Sequence, residues 1–179
     1  YASIDGGYDL TMVAGSAWTL TGNLGDITPL ASVDISTTSG NLTLSGDITV
    51  TSTGTDAIVM NAGSNTAAGT TTGGNILVSG SPTFTSGEGG IIKLYSGSVL
   101  NSTGLTDFIG SGSHRFRYNS DESNTNYSAA LTSGKYVIYR EQPTLTITAD
   151  DETVTYGTAP AESVTITAMV NGDGSGTVV

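Results

Sequence analysis

Residues 40–64, GNLTLSGDITVTSTGTDAIVMNAGS, return 34 positions later as residues 74–98, GNILVSGSPTFTSGEGGIIKLYSGS. The two stretches align without a gap. Gly40, Asn41, Ser45, Gly46, Thr49, Thr51, Ser52, Ile58, Gly63 and Ser64 are identical to their counterparts. Elsewhere apolar replaces apolar: Leu42 becomes Ile76, Leu44 becomes Val78, Val50 becomes Phe84 and Met60 becomes Leu94. Self-similarity at a fixed period of this size marks a repeat architecture. Within each copy the apolar residues alternate (Leu42 and Leu44, Ile48 and Val50, Ile58 and Met60), as in strands buried on one face. Three short strands separated by Gly-containing corners make one turn of a three-sided coil. Stacked coils bury their inward residues in a core that no single coil can form alone. The expectation is an all-β protein built on a parallel, right-handed β-solenoid, right-handed because parallel crossovers usually are.

Composition agrees. The 179 residues include 25 Gly and no Cys, charged residues make up 12%, and no segment carries apolar residues at helical spacing over three turns. Thr and Val favour strands, while Gly, Asn, Asp and Ser supply corners. Five Lys and Arg stand against 16 Asp and Glu, a net charge of −11. That balance argues against nucleic acid and anionic membrane surfaces as partners, because neither meets a basic patch. No stretch approaches the roughly 20 apolar residues of a membrane span. The chain begins at Tyr1 with neither Met nor a signal peptide, which reads as a processed or partial product.

Three zones follow. Residues 1–110 read as solenoid, with further strand candidates at 9–15, 17–23 and 29–36, and with Trp18 packed inward or covering the open end of the core. Residues 65–73, NTAAGTTTG, lack alternation and read as a surface loop inserted at a corner. Residues 111–142 concentrate aromatics and basic residues. Arg115 to Tyr118 and Tyr136 to Tyr139 predict two strands joined by a polar loop, a β-hairpin that caps the solenoid. Arg115, Arg117, Tyr118, Tyr136 and Tyr139 are the candidate interaction surface, since aromatics and Arg are enriched at interfaces. Residues 143–179 form a second kind of β unit, with strands expected at 144–149, 152–157 and 163–170. An Ig-type sandwich takes about 100 residues, and 37 remain from 143 to 179, so this is a partial unit.

The segment LTGNLGDITPLASVDIS, followed by GNLTLSGDITV, resembles the β-helical region of filamentous haemagglutinin-like bacterial adhesins and exoproteins. The segment YVIYREQPTLTITADDETVTYGTAP, with VNGD at 170–173, is similar to the junction into a bacterial Ig-like domain of the MBG type, in which Tyr156-Gly157 and Asn171-Gly172-Asp173 match recurrent strand-end and turn positions. The resemblance implies an extracellular or cell-surface fibrous protein concerned with adhesion, biofilm or filaments. Its partners would be copies of itself, neighbouring domains of a longer chain, a glycan, or a host or cell-surface receptor. A chain open at both ends also suggests a filament subunit joined head-to-tail by strand addition.

Catalysis has little to build on. Enzymes on parallel β-helices need clustered carboxylates with Lys or Arg nearby. Asp47 and Asp56 become Ser81 and Gly90 one repeat on, Lys93 stands alone, and the single His114 has no partner at a recognisable spacing. The sequence therefore reads as a non-enzyme with no catalytic, cofactor or metal residues. Asn171, Asp173, Ser175 and Gly176 imitate half of an EF-hand loop but serve better as a tight turn. Thr49-Val50-Thr51 over Thr83-Phe84-Thr85 would place hydroxyls in register on one face, an arrangement found on ice-binding solenoids, although Thr also simply suits the solvent side of a strand. A carbohydrate-binding surface module is the main alternative to a scaffold, ahead of a polysaccharide-active β-helix enzyme or an ice-binding solenoid.

Overall fold

The structure, a computed structural model, describes residues 3–160 and 163–174. These residues form an all-β protein with a single short helix. The largest sheet has six strands, every neighbouring pair parallel. In spatial order they are β1 (Asp9–Ala14), β3 (Ser32–Thr37), β6 (Ile58–Ala62), β9 (Ile91–Ser96), β11 (Gly134–Tyr139) and β10 (Phe116–Arg117). A second parallel sheet joins β2 (Trp18–Leu20), β4 (Leu42–Leu44) and β7 (Ile76–Val78), and a third pairs β5 (Ile48–Thr49) with β8 (Phe84–Thr85). Helix α1 (Leu105–Ile109) follows β9.

Register explains the core. In the six-stranded sheet Met12, Ile35, Met60, Leu94, Val137 and Phe116 stand opposite one another in turn, an apolar row running across all six strands. Ile35, Met60, Leu94 and Val137 are wholly buried. Leu42 and Ile76 pair in the second sheet, Leu24, Ile48 and Phe84 in the third, and all five are buried against the same core. The period-two alternation thus puts one side of the strands in these three parallel sheets into a shared interior. At the far end α1 closes that interior: Leu105 is fully buried, and Phe108 meets Phe84 edge-to-face with centroids 5.1 Å apart. Trp18 packs partly buried against the core on an edge strand.

The 34-residue offset holds where Leu42 faces Ile76 and where Ile58 faces Ile92, but not between them. Ile48 faces Phe84, an offset of 36. Phe84 fills the inward position that the gap-free alignment gives to Pro82. Consequently Thr49 pairs with Thr85 rather than Thr83, and the expected Thr-x-Thr array does not form in that register.

Two expectations further along are corrected. Residues 115–118 and 136–139 do not form a hairpin: β10 and β11 run parallel and extend the six-stranded sheet, with β10 at its edge beyond β11. In the tail, β12 (Thr146–Ala149) and β13 (Val164–Thr167) pair antiparallel, while 152–157 forms no strand. That segment alternates, but its side chains are exposed and no neighbour pairs with it, so alternation finds no face to bury.

Candidate functional site

Strand alternation divides the five candidate residues into two groups. Arg115, Arg117 and Tyr136 lie together on the outer face of the sheet: the Arg115 and Arg117 guanidiniums sit 5.0 and 5.3 Å from the centre of the Tyr136 ring. Tyr118 and Tyr139 lie on the inner side, stacked with centroids 5.7 Å apart and planes within 9°. Phe116 stacks on Tyr139 as well, at 6.5 Å. Tyr136 is 4% exposed and Tyr139 not at all, so neither presents a surface to a ligand. Tyr118, Arg115 and Arg117 remain half-buried.

The outer face is buried because residues 119–134 fold back across it. Thr132 donates its backbone N–H to the Tyr136 hydroxyl at 3.1 Å, and Tyr127 lies with its ring centre 5.4 Å from the Arg117 guanidinium. Burial alone would push the Tyr136 phenol up. Its hydrogen bonds to Thr132 and the two guanidiniums outweigh burial and hold it below the usual tyrosine range.

Arg117 also acts on the sheet edge. The Arg115 carbonyl accepts from Val137 in β11, which turns the Phe116 carbonyl towards the unpaired side of β10. Arg117 Nη1 donates to that carbonyl at 2.9 Å and to the His114 carbonyl at 3.0 Å. An edge strand is a template for pairing, and here a side chain occupies its acceptors.

Sequence reasoning missed two residues that organise this end. Arg140 is completely buried, with Nη2 donating to the carbonyls of Ala62, Gly74 at 2.9 Å and Thr72 at 3.4 Å, and Nη1 reaching Asn61 Oδ1 at 3.5 Å. It ties both ends of the 65–73 loop to β11. Burial lowers its pKa, opposed by the nearby negative charges of Glu122 and Asp121, yet an arginine stays protonated. Asp121, 5% exposed, accepts from the backbone N–H groups of Ala68, Ser123 and Asn124 at 2.6 to 2.7 Å. Burial pushes its carboxyl up, but these bonds and the Asn124 side chain outweigh it and leave the group below the usual range. Arg next to an aromatic run and Asp-x-x-Asn were the only sequence signals for either role.

A turn from the tail completes the site. Asn171 and Gly172 both have positive φ (53° and 71°), and Asp173 donates its N–H back to the Val170 carbonyl, so Asn-Gly supplies the two left-handed residues that a type I′ turn requires. The turn inserts beside α1: Thr106 donates to Asn171 Oδ1 at 2.8 Å, Gly112 N–H to the Asn171 carbonyl, and the Tyr118 hydroxyl to Asp173 Oδ2 at 2.6 Å. Burial, then the bond to Asp173, pushes the Tyr118 phenol up. Ser175 and Gly176, the remainder of the EF-hand-like stretch, lie outside the described residues.

Between this turn, β10 and the folded-back segment lies a cleft of about 460 Å³. Phe116, Tyr118, Leu145 and Met169 supply apolar walls, and Arg117, Tyr127, Asn126 and Gln142 line its mouth. His114 is exposed at its rim with φ 58°. Lys93 is not isolated as expected: its ammonium meets Asp56 at 2.7 Å, well away from this cleft on the outer face of the repeat. Among the described residues no group of three His, Cys, Asp or Glu converges to hold a metal ion, and no helix is long and apolar enough to cross a membrane. No known protein family, curated protein or solved structure matches the chain.

Proposed function

We propose that this chain is a structural segment of an extracellular or cell-surface fibrous protein, a parallel β-solenoid scaffold that is not an enzyme. The observation that carries the reading is the apolar row from Met12 to Phe116, one side chain per strand across six parallel strands. On this reading each circuit through the three sheets is one coil, and hydrogen bonds run along the axis of a rigid rod. The antiparallel pair β12–β13 is the first part of an Ig-like unit that follows the rod. Outward positions of the repeat carry no charged group that recurs from copy to copy, Val59 facing Lys93 and Thr49 facing Thr85, as befits a spacer, whose role is to hold other surfaces apart.

Scaffold function without strand exchange is favoured over head-to-tail filament growth by Arg117, whose bonds to the His114 and Phe116 carbonyls compete with any incoming strand at that edge. Antibody raised against the chain, applied to intact cells of its source, tests the placement, and deletion of the coding segment tests the role. Staining of intact cells with loss of surface attachment on deletion is the expected result. Staining confined to permeabilised cells overturns the reading. Assembly of the purified chain into filaments, measured by sedimentation, would replace the spacer with the polymer.

A further inference from the structure

We propose that the cleft beside β10 is a binding site for a neutral saccharide. The site is separate from the scaffold role and does not depend on it.

The volume of about 460 Å³ falls within the few hundred to a thousand Å³ typical of small-ligand sites, which combine apolar walls with a few polar groups. Several of its polar side-chain groups are unspent. Gln142 is exposed and has no hydrogen bond among the described residues, and the Asn126 side chain uses only its Nδ2, on the Asn119 carbonyl. Arg117 spends Nη1 on two carbonyls, leaves Nη2 free, and has an enclosed Nε without a partner. The Tyr127 and Tyr136 rings flank its guanidinium, and among the described residues no carboxylate lies within ion-pair distance. One face of Tyr127 covers the guanidinium, and the half-buried ring lines the cleft.

Charge and backbone chemistry then narrow the ligand class. Among the described residues lining the cleft, Arg117 and Asp173 alone are formally charged at neutral pH, and they cancel. The surrounding chain carries −11, which repels anionic polymers at long range. A peptide adding as a strand would need the outward acceptors of β10, and Arg117 already holds them. A neutral sugar meets every condition. Its C–H face lies against a tyrosine ring, and its hydroxyls both donate and accept. They therefore satisfy amide groups, a guanidinium and a carboxylate alike.

Isothermal titration of the full chain with neutral hexasaccharides of glucose, mannose and N-acetylglucosamine, and with oligogalacturonate as the acidic comparator, tests this. At least one neutral probe is expected to bind, with oligogalacturonate at least about tenfold weaker. Tyr127→Ala, which removes the stacking face, should weaken that probe about tenfold, and Gln142→Ala, an exposed residue whose loss leaves the fold intact, about threefold. Tyr156→Ala, fully exposed and away from the cleft, should change nothing. Failure of all the neutral probes, preference for the acidic one, or binding unaffected by both cleft variants overturns the proposal. If Tyr127→Ala lowers Tm, Gln142→Ala decides alone.

Discussion

The repeat at 40–98 and the segment at 111–142 both contribute strands to one sheet, yet they bury its outer side to different degrees. In the repeat that side stays partly wet, although Asn61, Ile91 and Tyr95 are buried on it. Val59 and Lys93 face outward half-buried, while Ile58, Met60 and Leu94 are sealed inside. In β11 both sides are dry: Tyr136 and Ile138 are buried outside, Val137 and Tyr139 inside. A strand covered on both faces gains apolar burial but strands any polar group caught beneath the cover. The second region carries buried charged side chains, Arg140 and Asp121, whereas the buried polar side chains of the repeat, Asn61, Ser96 and Ser98, are uncharged. The repeat is held by its apolar row, and the far end by a polar frame around an apolar strand.

The largest test of this contrast is Arg140→Met. It keeps most of the side-chain volume but removes the guanidinium bonds to the carbonyls of Ala62, Thr72 and Gly74, of which Gly74 keeps a second donor in the Gly97 N–H. At about 1.5–3 kcal/mol for each hydrogen bond to a charged donor, a loss of about 4 kcal/mol is expected by urea denaturation. Leu94→Ala, in the wholly buried row, should cost about 3 kcal/mol through lost contacts and a cavity. Their structural effects should differ more than their energies. Hydrogen exchange should speed selectively around 61–74 in the Arg140 variant, while the Leu94 variant should loosen β6, β9 and β11 together. Uniform loosening in both would erase the distinction between row and frame.

The row was legible from the sequence and the frame was not. Alternation of Leu42, Leu44, Ile58 and Met60 reports one-sided burial directly, because a strand's side-chain period is two. Even there, identical letters conceal different causes. Gly46 and Gly80 align, but a Cβ on Gly46 would lie 2.0 Å from the Gly22 carbonyl oxygen, whereas Gly80 has open space and needs its glycine for φ 75°. The two-residue slip that sets Ile48 against Phe84 breaks an otherwise persuasive alignment, and no letter of the aligned copies announces it. In 111–142, alternation correctly gave strands but implied the wrong partner direction, since it is blind to whether a neighbour runs parallel. Tyr136 reads as a surface residue because nothing local announces that residues 119–134 fold back over it, and Tyr139 because nothing local announces its place on the inner side against Phe116 and Tyr118. The cleft joins residues up to 59 positions apart, from His114 to Asp173, and no local pattern encodes that meeting.

Acid should separate the two regions at smaller amplitude. Asp121 has a folded pKa below its ordinary value of 3.8. Its stabilising contribution is therefore complete above that value and is lost as pH falls through the lower folded one. Below about pH 4 the 65–73 and 119–124 loops should open before the six-stranded sheet, with amide protection lost first at Ala68, Ser123 and Asn124. Asp121→Asn should cost about 1–2 kcal/mol at pH 7 and flatten that acid response. Loss of the sheet and the loops at one midpoint would mean that the frame has no independent stability.

The smallest effect belongs to the one ion pair of the repeat. Lys93 and Asp56 are 2.7 Å apart, but the Asp56 side chain is 61% exposed. Their hydrogen bond holds the Asp56 carboxyl below its usual range, while burial, and then the Asp56 charge, pushes neighbouring Asp34 up. Asp56→Asn thus removes a favourable contact with Lys93 and an unfavourable one with Asp34. The two changes oppose each other, and exposed pairs contribute only about 0.2–1 kcal/mol to begin with. The net change at pH 7 should stay within about 0.5 kcal/mol and shrink further in high salt, where exposed charges are screened. A loss approaching that of Arg140→Met would show that the outer face of the repeat is itself held by polar contacts, and the two ends of the sheet would then obey the same rule.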